Sequence, residues 1–143
     1  MAIEQNKAVV RRDVDEIWTQ GNAALIDELY TADAVDHNPL PGLQATGRAL
    51  QKQTLQMLHT GFPDFQNHID LMLAEGDKVA VSITIRGTHL GQFLQMPPTG
   101  KAATWTRMTI YRLENGQIAE LWHVVDALGL IAQLGLLPGT VPA

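Results

Sequence analysis

The stretch that decides the fold is Lys78–His89, KVAVSITIRGTH. Val79, Val81, Ile83 and Ile85 alternate with Ala80, Ser82 and Thr84, the period of two that marks a strand with one buried face. Working toward the C-terminus, Gly91–Gly100 is a loop carrying Pro97-Pro98, and Ala103–Leu113 is a further strand. Glu114-Asn115-Gly116 then turns the chain into Gln117–Val125. Asn-Gly between two apolar runs is the strongest short hairpin signal, because both residues tolerate positive φ. Working toward the N-terminus, Glu75-Gly76-Asp77 turns back to a strand over His68–Ala74. A short helix over Ala127–Leu134 closes the pattern before Gly135.

The first half is helical. Ile3, Val10, Val14, Ile17 and Trp18 fall near a 3.6 period within residues 3–20, and Gly21 is placed as a C-cap. Asn22 predicts the N-cap of a short helix over Ala23–Tyr30. Ala34–Gly47 reads as irregular, and a third helix runs over about Arg48–Thr60. Helices followed by a meander predict an α+β protein, with about three helices on an antiparallel sheet. So few helices cover such a sheet only if it curves strongly, which predicts a cone around an apolar pocket. Residues 1–137 read as a single domain and 138–143 as a loose C-terminal tail.

Composition narrows the function. The chain has 143 residues, a formal net charge of −5 and no cysteine. Nucleic-acid binding needs clustered cations, whereas here Arg11-Arg12 is the only adjacent pair. The lack of cysteine removes disulfides, thiolate nucleophiles and Cys-ligated zinc, and fits a cytoplasmic location. No run of about 18 apolar residues exists to span a membrane, and an N-terminus with acids inside its first sixteen residues and no continuous apolar block is not that of a signal peptide. The five histidines include no pair at helical i, i+3 or i, i+4 spacing, so no metal site is expected. Ser82 is the only serine and has no nucleophile elbow around it.

An ordered set of segments carries a resemblance across nearly the whole chain. It comprises Trp18-Thr-Gln-Gly-Asn22, Leu29–Pro39 with Asp36-His37-Asn38-Pro39, Phe62-Pro63-Asp64-Phe65 and Gly76–Ala80. Arg86–His89, Pro97–Lys101 and Tyr111–Trp122 follow, running on to Asp126 and Gln133-Leu134-Gly135. Together they resemble the SnoaL-like polyketide cyclases, within the ketosteroid-isomerase-like superfamily. The resemblance implies ring closure by a cofactor-independent intramolecular aldol reaction on a polyketide or related β-keto substrate, and a homodimer. It implies an acidic acid/base just after the last strand's tryptophan and a helper histidine on the preceding strand. Here those positions hold His123, after Trp122, and Thr109.

Histidine moves protons near neutral pH without tuning, so His123 is chemically competent in the place of an acid. Strand parity places Trp105, Arg107, Thr109 and Tyr111 on one face. With the family register that face is the pocket, which makes His123 and Arg107 the candidate catalytic pair. Arg107 would hold an enolate, a phenolate or a carboxylate; the alternative is a structural ion pair with Asp126 or Glu120. For His123 the alternative is a bond to a backbone carbonyl. Thr109, Trp105, His37, Asn38, Trp18, Phe62 and Met57 are the expected substrate-binding residues, although Asp36–Pro39 also reads as a turn. Met57, Met96 and Met108 would give an adaptable lining. Thr88 and His89 read as structural, and His59 and His68 as surface residues. The expected partner is a small apolar or aromatic carbonyl compound. Three readings stand: a cyclase-type or isomerase-type enzyme, a non-catalytic ligand-binding module, and an interaction protein that pairs through its outer sheet face.

Overall fold

A computed structural model describes residues 2–137; the tail expected over 138–143 lies outside the described residues. Helix α1 (Ala2–Arg12) runs directly into a π-helical segment, Asp13–Thr19. After Gly21 come a 3₁₀ turn (Ala23–Leu25) and the single-turn helix α2 (Ile26–Leu29). Strand β1 (Tyr30–Asp36) and helix α3 (Gly47–Gly61) follow. The meander is β2 (Gln66–Glu75), β3 (Lys78–Thr88), β4 (Ala102–Glu114) and β5 (Gln117–Val125), closed by helix α4 (Ala127–Gln133).

The sheet order is β1-β5-β4-β3-β2, so the sheet stays open with β1 and β2 at its edges. The meander is antiparallel as expected, but β1 joins β5 in parallel, which makes the sheet mixed. β1 escapes a reading of the sequence because four of the seven residues of YTADAVD are Ala or Asp, which are depleted in strands. Only Tyr30 and Ala34 are buried along it, and its register with β5 slips between Tyr30 and Val35. Its hydrogen bonds come from a neighbour nearly 90 residues away in sequence, which no local pattern reports. Further register slips between Ile69 and Leu71 and between Arg112 and Leu113 are bulges, and bulges bend strands.

The inner face of β3, Val79, Val81, Ile83 and Ile85, is fully or nearly fully buried. Each such side chain contributes roughly 1.5–3 kcal/mol of burial free energy. It packs against Val10, Val14, Ile17 and Trp18 from the N-terminal helix, and against Leu55 of α3. Asn115 (φ 52°) and Gly116 (φ 78°) both take positive φ, the type I′ geometry that the Asn-Gly pair predicts. The expected helix over residues 3–20 is one continuous helical run, but its last two turns widen to π. Wider turns bring residues five apart into contact, and this places Asp13 beside Trp18.

Candidate active site

The inner face of the sheet, α3, α4 and the loops after β1 and β3 enclose a cavity of about 310 Å³. Its wall is mainly apolar: Leu58, Phe65, Ile85, Phe93, Met96, Leu121, Leu130 and others. Among its polar residues are Asp36, Gln51, Arg107, Thr109 and His123. Sparse polar groups in an apolar concavity are the pattern of a small-molecule site.

Four residues expected from the sequence meet on this wall: His123 and Arg107, with Thr109 and Trp105. β4 contributes Trp105, Arg107 and Thr109 at alternating positions, and His123 on β5 pairs directly across from Thr109. Trp18 also lines the cavity.

His123 has a partner that local pattern did not suggest. Its Nε2 donates to Asp36 Oδ1 at 2.8 Å. Asp36 closes β1, and the parallel β1–β5 pairing sets it beside Leu121, two residues before His123. The backbone N–H of Asn38 also donates to Asp36 Oδ1 (2.9 Å), and the Gln51 side chain to Oδ2 (3.3 Å). Burial pushes the Asp36 carboxyl up, but the His123 hydrogen bond and charge, with the Asn38 and Gln51 donors, outweigh it and hold it below the usual range. Asp36 is therefore an acceptor. The imidazole proton sits on Nε2, and Nδ1 is the basic atom of the neutral ring. The signal available in the sequence was Asp36-His37-Asn38-Pro39, which reads equally well as a turn and does form one between Asp36 and Asn38.

A second carboxylate lies beneath the wall. Asp13 is fully buried and accepts from Trp18 Nε1 (3.0 Å) and Tyr30 OH (2.7 Å) on Oδ1, and from Tyr111 OH (2.9 Å) on Oδ2. All three donors line the cavity. Burial pushes the Asp13 carboxyl up to about 6, against the three hydrogen bonds and the positive charge of Arg107. Burial and the neighbouring Asp13 charge hold both tyrosines well above their usual value, so they act as donors. In the sequence Asp13 is one charge among Arg11, Arg12, Asp15 and Glu16, and nothing distinguishes it.

Arg107 forms no ion pair with the two acids suggested from the sequence. Asp126 caps α4 by accepting from the Gly129 N–H, and Glu120 holds Arg112 (2.7 Å) and His37 (2.6 Å). The Nε and Nη2 atoms of Arg107 and the Oγ1 of Thr109 are buried without a hydrogen-bond partner.

Four residues proposed as substrate contacts lie off the wall. His37 falls on the opposite strand parity to Asp36. It stacks on Trp122 at 4.8 Å and bonds Glu120 on the outer face. Asn38 acts through its neighbours, its side-chain oxygen accepting from the backbone N–H of His123 (2.9 Å). Phe62 is fully buried in core packing against Phe93, His89 and Trp105, above the bare Cα of Gly87. Met57 borders a separate outer groove with Pro41 and Leu43. Of the other two methionines, Met96 lines the cavity and Met108 points outward, 65% exposed. His59 is half-buried rather than a surface residue, and its Nε2 bonds the Trp18 carbonyl at 2.7 Å. His89 is buried, with Nδ1 accepting from the Thr99 N–H. Among the described residues, no group of three or more His, Cys, Asp or Glu could hold a metal ion. No helix among them is long and apolar enough to cross a membrane.

Comparison with known proteins agrees with this architecture. The family described as SnoaL-like polyketide cyclase matches residues 8–134, and the chain belongs to that family. No curated protein matches it. AclR from Streptomyces galilaeus, a proposed hydroxylase, is similar at 28% identity and a TM-score of 0.82, over 98% of this chain and 86% of that one. IdmH from Streptomyces antibioticus, a proposed polyketide cyclase, is similar at 29% identity and a TM-score of 0.81, over 92% of this chain and 99% of that one. TsrD from Streptomyces laurentii, at 22% identity and a TM-score of 0.85 over 94% of this chain and 97% of that one, shares the fold.

Proposed function

We propose that this protein is a cofactor-independent cyclase that closes a ring in a polyketide-type β-keto substrate by enolisation and intramolecular aldol addition. The observation that carries the reading is the 2.8 Å contact of His123 with Asp36 inside an apolar cavity. His123 Nδ1 takes a proton from the carbon between two carbonyls, and Asp36 stabilises the imidazolium. The carbanion electron pair forms the new C–C bond at a further, remote carbonyl carbon of the same molecule, and that carbonyl oxygen takes the proton back from Nδ1. The sequence is redox-neutral and returns the imidazole to its starting state. Thr109 and Arg107 are donors for negative oxygens on the wall.

The similarity to IdmH supports the class of reaction, while the similarity to AclR is a reminder that one fold hosts several chemistries. We propose further that the protein acts as a cytoplasmic homodimer. Leu71, Leu73, Met108, Ile110 and Val124 are exposed together on the outer sheet face, which supports pairing there.

The test is turnover of a β-keto substrate by the parent and by His123→Ala. Loss of about two to four orders of magnitude in rate, with the fold intact, is the expected result. An unchanged rate removes His123 from the chemistry. Saturable binding without any turnover by the parent makes the protein a ligand-binding module.

A further inference from the structure

We infer that the ligand of this cavity carries a free carboxylate, gripped by Arg107, in addition to any carbonyl that reacts at His123. The inference rests on the cavity being a substrate site and narrows the class of molecule it takes to apolar, ring-sized carboxylic acids.

Two nitrogens of Arg107, Nε and Nη2, are buried without a hydrogen-bond partner. These lie on the same edge of the guanidinium, so their N–H bonds run parallel. Two parallel donors match the two oxygens of one carboxylate, each taking one, although a single oxygen can also bridge the edge. Elsewhere the chain satisfies the same edge: Nε and Nη2 of Arg48 both donate to the Tyr30 carbonyl, at 2.9 and 2.7 Å. The Thr109 hydroxyl, two residues along the same face of β4, is a further buried donor without a partner.

The protein's own acids do not supply the missing oxygens. Asp13 is the acid whose field Arg107 reaches, but its two oxygens already hold three donors. Asp36 is occupied by His123, Asn38 and Gln51. Asp126 and Glu120 are committed at a helix cap and on the outer face. Arg107 is half-buried, but two of its cationic donors are buried and idle, and such donors need an anion; the cavity that Arg107 lines is where one would enter. The rest of that wall fixes the remainder of the ligand as apolar.

The experiment is calorimetric titration of the purified protein with 2-naphthoate and with 2-naphthamide, its neutral isostere. Naphthoate should bind at least about tenfold more tightly. Arg107→Gln should abolish that preference, and Arg107→Lys, which keeps the charge but loses the parallel pair, should retain part of it. Circular dichroism checks that each variant is folded. Equal affinity of the parent for the two probes overturns the inference, and so does the absence of saturable binding by both at millimolar concentration. The parent comparison needs no variant. It involves no turnover, so its failure is separate from failure of the His123 chemistry.

Discussion

His123 Nε2 lies 2.8 Å from Asp36 Oδ1, although 87 residues separate them in the chain. The parallel pairing of β1 with β5 brings them together and fixes the imidazole proton on Nε2. Replacing Asp36 by Asn would set an amide against the ring and favour the other tautomer, taking the lone pair off Nδ1. We expect Asp36→Asn to lower kcat on a β-keto substrate by about two orders of magnitude or more, with a much smaller effect on KM. Steady-state kinetics read this directly, and equal loss through KM alone would count against the tautomer argument.

Asp13 makes a prediction about pH and stability. Its carboxyl is pushed up to about 6 from 3.8, chiefly by burial, so the folded protein holds its proton more tightly than the unfolded chain. That contribution to stability is full below about pH 4 and is lost as the pH rises through about 6. Relative to Asp13→Asn, the parent should therefore lose stability on the order of 3 kcal/mol between those limits. Urea unfolding of both proteins across the range checks it. A difference that stays flat would mean that Asp13 does not titrate there.

Met108 and Val124 are 65% and 75% exposed on the outer face of adjoining strands and are register partners. A charge at either position should disrupt pairing of two sheet faces while leaving the cavity alone. Sedimentation of Val124→Glu is expected to give a monomer where the parent gives a dimer, with unchanged far-ultraviolet circular dichroism. A monomeric parent at tens of micromolar would remove the dimer.

Phe62 touches Phe93, Trp105 and His89 rather than the cavity. Phe62→Ala should cost about 3–5 kcal/mol of stability through the void it leaves. Chemical denaturation measures the cost, and a loss of ligand affinity with stability unchanged would return Phe62 to the binding site.

Much of this molecule was legible before any tertiary structure. Period-two alternation fixes β3 and β4, Asn115-Gly116 fixes the hairpin between β4 and β5, and parity puts Trp105, Arg107 and Thr109 on one face, because each of these is a local property of the chain. Cross-strand identity is not local. β1 is rich in Ala and Asp and exists because β5 offers it hydrogen bonds, so Asp36 as the partner of His123 could not be read from its neighbours. The same holds for Asp13, where a π turn, two tyrosines from distant strands and Trp18 converge on one buried carboxylate. His37 failed as a cavity residue for a related reason: once Asp36 belongs to a strand and points inward, the next side chain must point out. Residue types and periodicity determined which faces are apolar and which groups can move a proton. Only the folding of distant segments onto one another decided which of those groups meet.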